Sequence, residues 1–67
     1  MAHIVPAEKG KVYKVKIIEI VGNNEGVGHV ERFPVYVKGV SRNDKGKEVK
    51  VKVSSIKKYY CEGIKEP

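Results

Sequence analysis

Apolar and polar residues alternate along much of this chain with a period of two, the repeat of a half-buried strand. Between Lys11 and Ile20, Tyr13, Val15 and Ile17 alternate with Lys14, Lys16 and Ile18. The Ile17-Ile18 pair breaks the alternation, and Ile20 continues it on the even positions. A β-bulge near Ile18 returns Ile20 to the core side, and bending there fits closure of a barrel. Gly22-Asn23-Asn24-Glu25-Gly26 follows as a turn, because Gly and Asn tolerate the positive φ of tight hairpins. A second strand is predicted over residues 27–32, with Gly28 marking a kink or a close backbone approach. A third is predicted over residues 33–39, its start an edge or a bulge because Pro34 lacks an N–H. Residues 40–46 form a loop rich in Ser, Asn, Asp and Gly. Residues 49–53 then alternate without fault, apolar at odd positions and Lys at even ones. Ser54-Ser55 breaks the run, and a last strand is predicted over residues 56–64. Five short strands at this spacing predict an all-β fold, a small five-stranded antiparallel barrel. Residues 1–9 carry no period and contain Pro6, so they are expected to form a flexible tail or a short strap. The barrel is expected over residues 10–64, with a C-terminal tail at 65–67.

Composition supports strands. The chain has twelve Val, six Ile, two Ala and no Leu. Branching at Cβ suits a pleated sheet and is unfavourable in a helix, and the strong helix formers are nearly missing. A length of 67 residues allows one domain and leaves little room for a catalytic cavity beside a core. Lys and Arg total 14 against 8 acids, a net charge of +6, so an anionic partner is expected. Nucleic acid and an anionic membrane surface both suit that charge, but no apolar run approaches the ~20 residues of a span and no amphipathic helix is visible. The N-terminal stretch Met1-Ala2-His3-Ile4-Val5 has no charged lead into an apolar run, so no signal peptide is expected and the cytoplasm is the default compartment. Cys61 is alone, which excludes an intrachain disulfide and a multi-cysteine zinc site. His3 and His29 lie far apart, and neither a metal nor a cofactor is expected.

The cations and rings carry the candidate chemistry. Lys14 and Lys16 project opposite Tyr13 and Val15, and Lys50 and Lys52 opposite Val49, Val51 and Val53. Residues 45–58 hold six Lys and one acid, Glu48. A face meant only for solubility mixes signs, whereas a phosphate backbone uses the excess through counterion release. Lys38, Lys57, Lys58, Arg32 and Arg42 extend the supply. Tyr36 alternates with Val35 and Val37 and is expected to face outward, while Tyr13 is expected in the core. Phe33, Tyr59 and Tyr60 fit either a core or a rim position. Exposed rings beside lysines make a stacking platform for bases. Gly26-Val27-Gly28 begins like a nucleotide loop, but residue 31 is Glu and no helix follows. His29 and Cys61 have no orienting third group for nucleophilic catalysis. Cys61 is expected as a small core residue, and His29 as a contact near the loop. The candidate nucleic-acid-binding residues are therefore Lys14, Lys16, His29, Arg32, Phe33, Tyr36, Lys38, Arg42, Lys50, Lys52, Lys57, Lys58 and Tyr60, with no catalytic or metal residues.

A family resemblance follows from four blocks. These are Gly10-Lys11-Val12-Tyr13-Lys14-Val15-Lys16-Ile17, Gly26-Val27-Gly28-His29-Val30, Phe33-Pro34-Val35-Tyr36-Val37-Lys38-Gly39 and Val49-Lys50-Val51-Lys52-Val53. In their order and spacing they resemble a TRAM domain. That module is appended to tRNA-modifying methyltransferases and MiaB-like methylthiotransferases, and also occurs alone as a small archaeal protein. The resemblance spans about residues 10–64. It implies an OB-like barrel that binds tRNA and other RNA, with free-standing archaeal members acting like cold-shock RNA chaperones. It places Tyr36 and Phe33 at the RNA. Lys38 stands where many members have Pro, and residues 41–47 lack the common Pro-Gly turn. The expectation is a non-enzymatic, monomeric RNA-binding protein acting on single-stranded RNA, structured transcripts or tRNA, with no membrane or small-molecule partner. The alternatives are a ribosome-associated structural module and an accessory tRNA-binding subunit of an RNA-modification enzyme.

Overall fold

The computed structural model describes residues 7–66. Its elements are β1 (Val12–Gly22), β2 (Glu25–Val30), β3 (Phe33–Lys38), a 3-10 turn (Arg42–Asp44), β4 (Glu48–Ile56) and β5 (Cys61–Lys65). They close into a barrel in the order β1-β2-β3-β5-β4, with β4 pairing back onto β1. Four seams are antiparallel, and the β3–β5 seam is parallel. Strand direction cannot alternate all the way around a ring with an odd number of members. One parallel seam is therefore the geometric consequence of closing five strands.

The bore of so small a ring cannot hold inward side chains from every strand. Three strands fill it: Val15 and Ile17 from β1, Phe33, Val35 and Val37 from β3, and Val51 and Val53 from β4 are all buried. The other two yield space. The inward positions of β2 include Gly26 and Gly28, and β5 offers Gly63 beside the fully buried Cys61. A Cβ on Gly28 would stand 2.5 Å from the Lys16 carbonyl oxygen and closer still to a Val15 methyl. A Cβ on Gly63 would stand 2.9 Å from the Lys52 carbonyl oxygen and closer to a Val51 methyl. The close approach expected at Gly28 is thus present. Burial pushes the Cys61 thiol above its ordinary pKa, as suits an unreactive core residue.

Local sequence explains most boundaries. The pairing register of β1 with β2 slips at Ile18, which bulges outward and is exposed, and Ile20 packs against the core. Asn23 and Asn24 connect β1 to β2, with Asn24 at φ 61°. Several boundaries differ from the pattern: β1 runs on to Gly22 and β2 begins at Glu25, so the turn predicted over residues 22–26 shrinks to Asn23 and Asn24. The strand predicted over residues 27–32 ends at Val30, because Glu31 and Arg32 form the hairpin tip at φ 47° and 74°. That tip lacks the Gly or Asn that usually marks such φ values. Ser54-Ser55 does not end β4; the register slips there and the strand continues to Ile56. The last strand accordingly begins at Cys61, and residues 57–60 form the β4–β5 loop, in which the Lys57 N–H donates to the Tyr60 carbonyl at 2.8 Å.

Both ends are strapped. Of the expected N-terminal tail, residues 1–6 lie outside the described residues. Ala7 is buried in the core, the Gly10 N–H donates to the Val53 carbonyl at 2.8 Å, and the Tyr13 hydroxyl accepts from the Glu8 N–H at 2.8 Å. At the other end Lys65 belongs to β5, and the Glu66 N–H donates to the Lys50 carbonyl at 2.8 Å. Asp44 ties that end together. Its carboxylate accepts from the Ser41 N–H and from the Lys65 ammonium, each at 2.9 Å. The Ser41 hydrogen bond, then that of Lys65, holds its pKa below the ordinary 3.8.

Three expectations follow. Gly63→Ala forces a methyl into the Val51 wall and lowers stability by about 1–3 kcal/mol in chemical denaturation. Gly46→Ala meets open space but keeps a φ of +84°, and its cost is about 1 kcal/mol from backbone strain alone. For Asp44, a depressed folded pKa means the stabilisation is fully present above 3.8 and is lost as pH falls through the lower folded value. Asp44→Asn therefore melts at lower temperature than wild type at neutral pH. In melting curves the gap closes as the pH drops below 3.8.

Candidate nucleic-acid interface

Pairing register builds an aromatic face on β2, β3 and β5. Outward positions line up in rows across these strands. Val27 lies opposite Tyr36, which lies opposite Glu62; two residues along, Glu25 lies opposite Lys38, which lies opposite Ile64. Tyr36 is 41% exposed because its neighbours Val35 and Val37 point inward. The Tyr60 ring meets it edge-on, with centroids 5.4 Å apart and planes at 80°. Tyr59, at 69% exposure, is the most open ring, and Lys58 Nζ lies 5.4 Å from its centroid.

The parallel seam sets which loops join this face. Since β3 and β5 run the same way, both start at one end of the barrel, so the β4–β5 loop and the Glu31-Arg32 tip share that end. His29, Arg32, Tyr36, Lys57, Lys58 and Tyr60 are thereby gathered on one side, with Lys38 further along β3. A cleft of about 350 Å³ lies among Glu25, Tyr36, Tyr60 and Glu62. A narrower one of about 90 Å³ runs past Lys38, Ser54, Gly63 and Ile64.

The remaining candidate lysines, Lys14, Lys16, Lys50 and Lys52, occupy a second face. On the β1–β4 seam Lys14 lies directly opposite Lys50, Lys52 opposite Val12, and Lys16 opposite Glu48. A single basic and aromatic face was expected. Instead there are two, joined by the register row Lys38, Ile64, Lys52 and Val12 that crosses β3, β5, β4 and β1.

Two candidates fall elsewhere. Phe33 is only 9% exposed and sits in the core cluster, because it shares the inward parity of Val35 and Val37. Its ring is unavailable for stacking. Arg42 lies at the opposite end, on the 3-10 turn, where it lines a polar cavity of about 420 Å³ with Asn23, Asn24 and Ser41. The sequence reading also missed members of the ring face. Alternation alone does not decide between core and rim for Tyr59, and it gives no sign of Glu25 and Glu62 beside the rings. Alternation with the inward Cys61 and Gly63 marks Glu62 and Ile64 as outward once the strand start is placed at Cys61. Among the described residues no group of three His, Cys, Asp or Glu side chains can hold a metal ion, and no helix is long and apolar enough to cross a membrane.

Comparison with known proteins agrees with this geometry. The solution structure of the conserved protein from the gene locus MMP0076 of Methanococcus maripaludis is similar to this chain. The TM-score is 0.81 at 28% identity, over 96% of this chain and 87% of that one. No curated protein matches the sequence. The TRAM domain model, which describes an RNA-binding module, matches residues 6–65. With that match spanning nearly all of the barrel, the chain belongs to the TRAM domain family.

Proposed function

We propose that this protein binds RNA without catalysing a reaction and acts as a cold-shock-like RNA chaperone on single-stranded or tRNA-like RNA. The observation that carries this reading is the solvent-facing Tyr36–Tyr60 pair beside Tyr59 and the cations of one barrel end. Unpaired bases stack on exposed rings with little sequence dependence, at roughly 1–3 kcal/mol per base. Lysines hold the phosphate backbone by releasing counterions. Stacking is open only to unpaired bases, so binding pulls a folded RNA toward its melted form without ATP. Each contact is weak, which allows release and rebinding.

A second reading draws on the separate lysine wall. A folded RNA held on both faces at once suits an accessory tRNA-binding subunit or a ribosome-associated module. Co-sedimentation with ribosomes that survives high salt, or co-purification with a methyltransferase, supports that role instead.

The wall also has a structural consequence. Like charges directly opposite one another on paired strands repel, and Lys14 and Lys50 are so placed. A polyanion relieves that repulsion, so the arrangement favours the bound state over the free one.

Two outcomes are expected. Tyr36→Ala weakens single-stranded RNA binding roughly tenfold and slows melting of a transcriptional terminator hairpin, with the circular dichroism spectrum unchanged. The slope of log affinity against log salt stays near the wild-type value. A variant with unaltered affinity and terminator activity removes the ring face from the mechanism. Lys14→Thr, by contrast, raises the melting temperature by roughly 1–5 °C. It also flattens the salt slope by about 0.7. A lower melting temperature with an unchanged slope argues against a phosphate-binding wall.

A further inference from the structure

We infer that the cleft between Tyr36 and Tyr60 reads the hydrogen-bonding edge of the stacked base, and that Glu62 and Glu25 set a preference for guanine. This rests on the ring face being the RNA site and adds a specificity to it.

The placement of the two carboxylates is the starting point. Glu62 lies directly opposite Tyr36 across the β3–β5 seam. Glu25 lies two residues from Val27, which is the β2 partner of Tyr36. Both are half-buried, and with Tyr36 and Tyr60 they line the cleft of about 350 Å³. The described ion pairs are Lys11–Glu8, Lys45–Glu19 and Lys65–Asp44, so neither of these carboxylates is engaged by a cation. Lys38 is the register partner of Glu25 and still forms no ion pair with it.

On a platform that only holds phosphates, these charges work against binding. A carboxylate accepts hydrogen bonds and donates none. It repels the backbone but attracts the N–H groups of a base edge, which in single-stranded RNA are open to contact. The four bases differ in what they offer. Guanine presents its ring N1–H and its 2-amino group side by side, two parallel donors for the two oxygens of one carboxylate. Adenine and cytosine set one amino group beside an unprotonated ring nitrogen, which repels the second oxygen. Uracil has one N–H between two carbonyls. Paired, charge-assisted donors make the stronger and more directional contact. Guanine is therefore favoured most and uracil least. The ring face of Tyr36 supplies the plane on which the base lies, and Glu62 meets its edge.

The experiment uses the full chain and uridine hexamers with one central position varied, followed by fluorescence anisotropy at low salt. The central residue is guanosine, inosine, adenosine, cytidine or uridine. Guanosine is expected to bind about tenfold tighter than uridine, the discrimination of one good paired contact. Inosine, which lacks the 2-amino group, is expected to lose most of that advantage. Glu62→Gln is expected to abolish the guanosine preference while leaving uridine affinity equal or higher, because a negative charge is removed. Glu25→Gln reduces the preference in part and serves as the readout if Glu62→Gln does not fold. Wild-type affinities for guanosine and uridine within twofold of each other overturn the inference and leave the RNA site standing. No binding of any hexamer overturns the RNA site itself. Equal hexamer binding, together with capture of an arginine-rich peptide that Glu62→Gln abolishes, overturns the inference in favour of a cationic protein partner.

Discussion

The narrow bore of a five-stranded ring is the constraint from which the rest of this molecule follows. Side chains from β1, β3 and β4 fill most of it, and β2 and β5 present Gly26, Gly28, Cys61 and Gly63 where the walls come closest. This interlock explains the composition. Most of the core is valine, short and stiff enough to pack across so small a gap. The same limit pushes large side chains outward. Phe33 finds room in the core cluster, but Tyr36, Tyr59 and Tyr60 stay wholly or partly at the surface. An aromatic face is thus a by-product of a core that cannot take more rings.

Closure of an odd number of strands does the next piece of work. The one parallel seam brings the starts of β3 and β5 to the same end. Tyr60, which immediately precedes β5, then lies beside Tyr36, two residues past Pro34 on β3. Were that seam antiparallel, the loop carrying Tyr59 and Tyr60 would emerge at the far end, beside the 3-10 turn. The stacking pair is therefore built by topology as much as by residue choice. Asp44 and Lys65 secure the arrangement from the other end by tying the last residue of β5 to the β3–β4 connection.

Much of this was legible locally. Alternation placed Tyr36 outside and Val35 and Val37 inside, the Ile17-Ile18 pair marked a bulge, and Gly28 marked a tight approach. Each of these is decided by a residue and its immediate neighbours. What was not legible depends on partners far away in sequence. That Lys14 faces Lys50, and that this row lies on a different seam from Tyr36, follows from strand order alone. Arg42 looked like one more cation of the same surface, yet its loop sits at the opposite end. The Glu31-Arg32 tip went unseen because neither residue advertises a positive φ, and the turn is imposed by the strands it joins.

Separating the lysine wall from the ring cleft separates two kinds of selectivity. In the function proposed above, phosphate contacts made by Lys14, Lys16, Lys50 and Lys52 would be blind to sequence and would weaken steeply with salt. Contacts in the cleft would depend on a base being unpaired and, on the inference drawn from Glu62 and Glu25, on which base it is. Lys16 opposite Glu48 shows that the β1–β4 seam accommodates opposite charges. The apposition of Lys14 and Lys50 is thus not forced by geometry. It leaves the free barrel less stable than an alternating seam would be, and a polyanion across it removes the penalty. Anything that binds only the folded state stabilises that state by mass action. A small core with little stability in reserve therefore gains most from its ligand at the seam where its own charges are least comfortable. On the same inference the carboxylates of the cleft would act in the opposite sense, reducing affinity for backbone wherever no suitable base edge is offered. The lysine wall and the ring cleft lie on different seams, so each is open to change without the other.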